Sequence, residues 1–309
     1  MRIEMFAAGI IAVVLCIPAY AQGTAAKPLR GAAKKPPAAV SQARQEQAKI
    51  YGARGEDVPA TYVTDRALLS YGSTLLPDFL HSLAELGPSD RWLDIGAGQG
   101  RAILEYYGER FDAMHPDGRE RRGSKARSVA LSIEDRRTAE WHRVAAGLEP
   151  GKISYLHGRR LREYTPAELG RFRLASDVYG GFSYTSDLSL FMARILDLLE
   201  TGGSFYTLLI NVRTADAARQ GAKRDEVFQT EILAADGRPV GICAWLRQIA
   251  CAEVACDTDP SSETPIERYR IRRTCDQVSV PALETVHFAA GTPPARLFRL
   301  VAPAVPAKP

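Results

Sequence analysis

The stretch that most restricts what this chain can fold into is Arg91-Trp-Leu-Asp-Ile-Gly-Ala-Gly-Gln-Gly100, followed by Arg101-Ala-Ile-Leu-Glu-Tyr106. Trp92, Leu93 and Ile95 supply a short buried strand. Gly96, Gly98 and Gly100 let the backbone turn sharply and come close to a ligand. Ile103, Leu104 and Tyr107 recur at helical spacing from Arg101 onward. Strand, tight turn and helix in this order place a helix N-terminus over a turn of bare backbone. The spacing is D-x-G-x-G-x-G, whereas a dinucleotide fingerprint reads G-x-G-x-x-G. Asp94, directly before the turn, would repel a pyrophosphate and suits a cationic amine.

The segments that follow extend the same architecture. Residues 64–86 carry leucines and Phe79 at helical spacing, interrupted by Tyr71-Gly72-Ser73, which is either a helix–helix turn or a segment able to reach the ligand. Residues 128–133 read as a second strand ending in Glu134-Asp135. An acid at the end of a second strand can accept two ribose hydroxyls. The usual spacing to it is about 20 residues; a basic insertion at residues 111–127 accounts for the longer one here. Glu134 is the ribose candidate, and Asp135 is expected to open a helix over residues 135–146. Residues 152–156 form a third strand, and residues 172–177 a fourth. The loop Val178-Tyr-Gly-Gly-Phe-Ser-Tyr184 lies at the fourth strand's carboxyl end, where open α/β sheets bind ligands. Asp177, Tyr179 and Tyr184 are therefore placed to face a reacting group. An apolar helix over residues 188–199, a Gly202-Gly203 turn and a strand over residues 204–210 complete the repeat.

The turn at Trp92–Gly100, the acid at Glu134, the loop after Asp177 and the Gly-Gly turn together resemble the class I S-adenosylmethionine-dependent methyltransferases. The resemblance implies an α/β fold: an open, mostly parallel seven-stranded doubly wound sheet with an antiparallel C-terminal strand pair, here with extra β-hairpins. It implies S-adenosyl-L-methionine as cofactor, held by Asp94, Gly96, Ala97, Gly98, Gly100 and Glu134, with Gly158 as a neighbour. Asp177 and Tyr184 are the implied acceptor-side residues. Arg159 departs from the family pattern, which often shows Gly-Asp after the third strand, so adenine recognition would rest on backbone groups or apolar packing. An acceptor that is a small molecule follows only from fold-level analogy. The other reading is a non-enzymatic exported binding or interaction protein that keeps the fold.

Beyond residue 211 the resemblance fades. Residues 216–227 are charged and helical in pattern. Residues 230–233, 240–246 and 266–271 read as strands, residues 280–288 as strand or helix, and residues 296–301 as a closing strand. The antiparallel pair is expected here.

The N-terminus is set apart from this domain. Residues 6–17 form an apolar run too short to span a bilayer comfortably, and Ala19-Tyr20-Ala21 is an A-x-A cleavage site. The expected organisation is a signal peptide over 1–21, an Ala/Pro/Lys linker over 22–49, the methyltransferase-like domain over 50–302 and a tail over 303–309. Export to the periplasm or outside fits the four remaining cysteines, Cys243, Cys251, Cys256 and Cys275, as disulfide partners whose pairing is open. Lys27, Arg30, Lys34 and Lys35 just after the apolar run disfavour translocation. An N-terminal anchor with a cytoplasmic domain is therefore the alternative. A net charge of +4 is too mild to argue for nucleic acid. The five histidines form no metal-like cluster, and no G-x-S-x-G elbow is present, which disfavours hydrolase chemistry.

Overall fold

The computed structural model describes residues 65–108, 111, 125–210, 212, 229–258, 266–289 and 294–301. The expected signal peptide, linker, domain start and tail lie outside the described residues, as do nearly all of the basic insertion and the charged segment at 216–227.

The frame is a seven-stranded sheet. Its strands are β1 (Arg91–Ile95), β2 (Arg127–Leu131), β3 (Ile153–Leu156), β4 (Phe172–Asp177) and β5 (Leu199–Ile210), joined at one edge by β8 (Ala252–Thr258) and β9 (Ile266–Arg273). The order across the sheet is β3-β2-β1-β4-β5-β9-β8. The first five strands are parallel; β9 runs antiparallel between β5 and β8. The chain reverses its direction of travel across the sheet between β1 and β4. That reversal is the switch point at which open α/β sheets leave a crevice. A second, four-stranded sheet, ordered β10-β11-β6-β7, is built from β6 (Thr230–Leu233), β7 (Pro239–Val240), β10 (Leu283–Ala289) and β11 (Ala295–Leu300). The fold is thus α/β with the expected antiparallel closing pair. The extra strands form a sheet of their own in place of isolated hairpins.

Strand alternation divides the core in two. On one face Trp92 and Tyr206 pack with Leu68, Tyr71 and Phe79 from helices α1 (Leu68–Thr74) and α2 (Phe79–Ala84), with Ile103 of α3 (Arg101–Tyr106), and with Trp141 of α4 (Ala139–Ala146). On the other face Leu93, Ile95 and Phe205 pack with α7 (Leu188–Leu198) and α8 (Ile242–Leu246), and Phe298 of the second sheet joins them. Parallel strands covered on both sides bury consecutive residues, which is why β1 is buried from Trp92 to Ile95, the acid Asp94 included.

Several expectations are corrected. β2 stops at Leu131, and α4 starts at Ala139, four residues later than expected. The physical reason is local. Asp135 takes the Arg137 amide and guanidinium on its carboxylate, which fixes a bend, and the Thr138 hydroxyl caps the helix by accepting from the Trp141 amide. Residues 242–246 are helix where a strand was expected, because Ile242, Trp245 and Leu246 bury one helical face. β5 begins at Leu199 and runs through the Gly202-Gly203 pair, with a register shift opposite β4. Strand β8 was not anticipated. It is an edge strand whose residues are partly buried or exposed and none fully buried, so it carries no clean alternation. The four late cysteines pair as Cys243–Cys256 and Cys251–Cys275, tying α8 to β8 and the start of β8 to the segment after β9.

Candidate functional site

The glycine turn is built as its spacing demands. Gly96 has φ 73° and Gly100 φ 78°, both in the left-handed region that favours glycine. The Gly96 and Ala97 amides donate to the Leu131 carbonyl, drawing the turn onto the end of β2. A Cβ on Gly96 would sit 3.0 Å from the Gly180 Cα, and one on Gly180 would sit 2.7 Å from the Ile95 carbonyl oxygen. The carboxyl ends of β1 and β4 therefore meet backbone to backbone. The far side of the turn is covered. The Trp141 ring occupies the space a Cβ on Gly100 would need, and the Tyr155 hydroxyl donates to the Gly98 carbonyl.

Two buried carboxyls stand behind this junction. Asp94 is fully buried; its oxygens accept from the Tyr71 hydroxyl at 2.9 Å and from the Ser176 hydroxyl at 2.8 Å. The Trp92 indole donates to Ser176 in turn, at 2.9 Å. Burial pushes the Asp94 carboxyl up to about 7, against the opposing pull of the Ser176 and Tyr71 hydrogen bonds. Tyr71, which the sequence left between a turn and a ligand-side role, sits inside α1 and holds this acid. Asp177, the register partner of Ile95, accepts from the Gly180 amide at 2.7 Å and the Phe182 amide at 2.9 Å. Burial raises it to about 7 as well, more strongly than those two amides lower it. Its carboxylate thereby fixes the loop that enters α6 (Gly181–Tyr184).

In front of the junction lies a cavity of about 210 Å³. Ile95 and Gly96 from β1, residues 131–133 after β2, and residues 179–181 after β4 line its strand side. Arg66, residues 159–162 after β3, residues 184–187 and residues of α7 line the rest. Of the residues singled out from the sequence as site candidates, Gly96, Tyr179 and Tyr184 line the cavity; Asp94, Ala97, Gly98, Gly100, Glu134, Gly158 and Asp177 are not among its lining residues. Glu134 follows directly on the lining Ile133 and is buried, 3.7 Å from Arg136. Gly158 donates its amide to the Ile133 carbonyl and so joins the loops after β2 and β3. Tyr184 is partly buried, and burial raises its hydroxyl.

Tyr179 stands at φ 53°, a strained setting for a residue with a Cβ. The Arg66 guanidinium lies 4.9 Å over its ring and donates to the Val178 carbonyl. Arg66 escaped sequence reading because it stands alone ahead of α1. Arg160 and Arg162, beside the Arg159 that departs from the family pattern, also escaped sequence reading, because only tertiary structure turns them toward a cavity. Among the described residues no group of three side chains could hold a metal ion, and no helix is long and apolar enough to cross a membrane.

No family model matches the chain, and no curated protein matches it. Solved structures similar to it include an rRNA methylase from Streptococcus thermophilus, at 12% identity and TM-score 0.36 over 63% of this chain and 94% of that one. The N-methyltransferase NodS from Bradyrhizobium japonicum gives 15%, 0.37, 64% and 94% in the same order. Phosphoethanolamine N-methyltransferase 2 from Haemonchus contortus, in complex with S-adenosyl-L-methionine, gives 12%, 0.40, 72% and 61%. At these levels the likenesses add nothing to what strand order and site geometry establish. In its strand order, its switch point between β1 and β4 and its D-x-G-x-G-x-G turn, the chain resembles the class I S-adenosylmethionine-dependent methyltransferases.

Proposed function

We propose that the chain transfers a methyl group from S-adenosyl-L-methionine to a small-molecule acceptor. The observation that carries this reading is the cavity at the switch point, floored by the backbone of Gly96 against Gly180. A floor without side chains lets a nucleoside-like ligand approach the strand ends closely, and this fits the cofactor. Gly96 would receive its amino-acid part, and Leu131, Ser132 and Ile133 would flank the nucleoside. Glu134 would take the ribose hydroxyls, with Gly158 closing that end. The cofactor supplies an electrophilic methyl on a sulfonium. The protein's share is to orient the acceptor and exclude water. Tyr184 lines the acceptor side, and Asp177 positions it by fixing the loop that carries it.

Calorimetric titration of the purified protein with S-adenosyl-L-methionine tests the reading. Glu134→Ala is expected to weaken binding at least tenfold, about 1.4 kcal/mol. Gly96→Val, which forces a β-branched residue to positive φ against Gly180, is expected to abolish it. Unchanged affinity in both variants would refute the site assignment. A second reading is favoured by one observation: Trp141 and Tyr155 cover Gly100 and Gly98, which leaves much of the turn inaccessible. On that reading the fold serves as an exported binding or interaction protein, and the wild-type protein shows no S-adenosyl-L-methionine binding at all.

The domain over residues 50–302 is proposed to act outside the cytoplasm, behind a cleaved signal. Two paired disulfides suit an oxidising compartment. The native protein is expected to begin at Gln22 and to show no free thiol after denaturation without reductant. An intact Met1 would instead support the anchored cytoplasmic alternative.

A further inference from the structure

The cavity has an unbalanced charge. Among the described residues five arginines line it, Arg66, Arg159, Arg160, Arg162 and Arg194, against a single carboxylate, Asp187. Asp187 is committed elsewhere: its Oδ1 accepts from the Leu190 amide at 2.9 Å and from the Ser189 hydroxyl at 3.1 Å, which caps α7. Arg159 is partly neutralised by Glu168, to which both its Nη atoms donate at 2.9 Å, and its guanidinium stacks on Tyr164. Arg194 is different. It is half-buried on α7, faces the cavity, and makes no hydrogen bond or ion pair among the described residues. The N-terminus of the eleven-residue helix α7 opens on the same space through Thr185, Ser186 and Asp187. Asp187 offsets the helix dipole there, so the guanidinium groups set the sign of the field in the cavity.

The walls between these charges are apolar. Leu161, Leu190 and Phe191 line the cavity beside the arginines, and Leu190 is 48% exposed. Guanidinium groups present planar paired donors that match carboxylate and phosphate oxygens, and they are the usual choice where such anions are held. A ligand that satisfies the whole lining needs an anionic head and an apolar body.

The geometry points to an acceptor that carries a carboxylate or phosphate group on an apolar body, bound in this cavity with Arg194 as its principal charge partner. This names the substrate class of the methyl-transfer reading and rests on it for the word acceptor; the anion site itself rests on the cavity lining alone.

The test uses the full chain and four probes built on one phenyl ring: benzoate, phenyl phosphate, benzamide and benzylamine, each titrated calorimetrically at low salt. Benzoate or phenyl phosphate is expected to bind at least tenfold more tightly than benzamide, and benzylamine more weakly still. The tighter of the two anions identifies the head group. Arg194→Gln is expected to remove at least tenfold of that affinity, and Arg194→Lys to restore most of it. Thermal unfolding of both variants should match the wild type, because Arg194 bonds no other group among the described residues. Equal binding of benzoate and benzamide, or an unchanged affinity in Arg194→Gln, overturns the proposal. A parallel titration with S-adenosyl-L-methionine keeps the two readings apart. Anion binding without cofactor binding sinks methyl transfer and leaves the anion site; cofactor binding without anion preference does the reverse.

Discussion

Arg296→Ala is expected to destabilise the fold by about 4 kcal/mol, near the upper end for single substitutions. Arg296 is only 2% exposed and sits on β11 of the second sheet. Its Nη1 donates to the carbonyls of Phe182 and Thr185, both at 2.9 Å, and its Nη2 and Nε donate to the Thr230 hydroxyl at 2.8 and 3.2 Å. Removing it strands two buried carbonyls, each costing about 1–3 kcal/mol, and leaves a void as large as the side chain. The same carbonyls lie within and just after α6, the turn that carries Tyr184 into the cavity. Loss of Arg296 should therefore also loosen any ligand held there. Urea denaturation measures the first effect and calorimetry the second. Arg296→Met, which refills the void without donors, is expected to recover roughly half of the lost stability. A loss below about 1 kcal/mol for the alanine variant would show that the second sheet does not brace the site.

The second large effect is on pH. Asp94 and Asp177 are both raised to about 7 by burial, above the ordinary carboxyl value of about 3.9 for the unfolded chain. Between these values the native state holds more protons than the unfolded state, so stability falls as pH rises. Their contribution is fully present below the unfolded value and is lost as pH passes through the folded one. Each carboxyl supplies at most about 1.4 kcal/mol per pH unit. The pair should therefore cost on the order of 5 kcal/mol between pH 5 and pH 7.5. Glu267, also raised by burial, acts in the same direction. Asp135, held down to about 2 mainly by Arg137, acts in the opposite direction, but only below about pH 4. Stability should thus peak in mildly acidic solution. Denaturation at pH 5 and at pH 7.5 measures the slope, and Asp94→Asn, which cannot titrate, should remove about half of it. A flat profile across this range would mean that the two carboxyls are ionised in the folded protein.

Both effects arise at places where local sequence is silent. Arg296 reads as one more charge in a short strand, and nothing near it in sequence names Phe182 or Thr185 as its partners. Asp94 was legible as the acid before a glycine turn, but its enclosure by Tyr71 and Ser176 depends on a helix and a strand distant in sequence. The missed strand β8 and the helix at Ile242–Leu246 have a similar origin. An edge strand carries no alternation to read, and a five-residue apolar segment fits either period.

What the sequence determined by itself is the parallel half of the fold. Buried strands had to carry consecutive apolar residues, the D-x-G-x-G-x-G turn had to be glycine where φ is positive, and the Asp177 loop had to fall at a strand's carboxyl end. Those are local constraints, written in consecutive residues. Tertiary structure alone decided which candidates face open space. It set Gly96 against Gly180, closed Trp141 and Tyr155 over the rest of the turn, and brought arginines from three separate segments around one cavity. Charge and shape at a site are sums over residues far apart in sequence, and only the packed chain performs that sum.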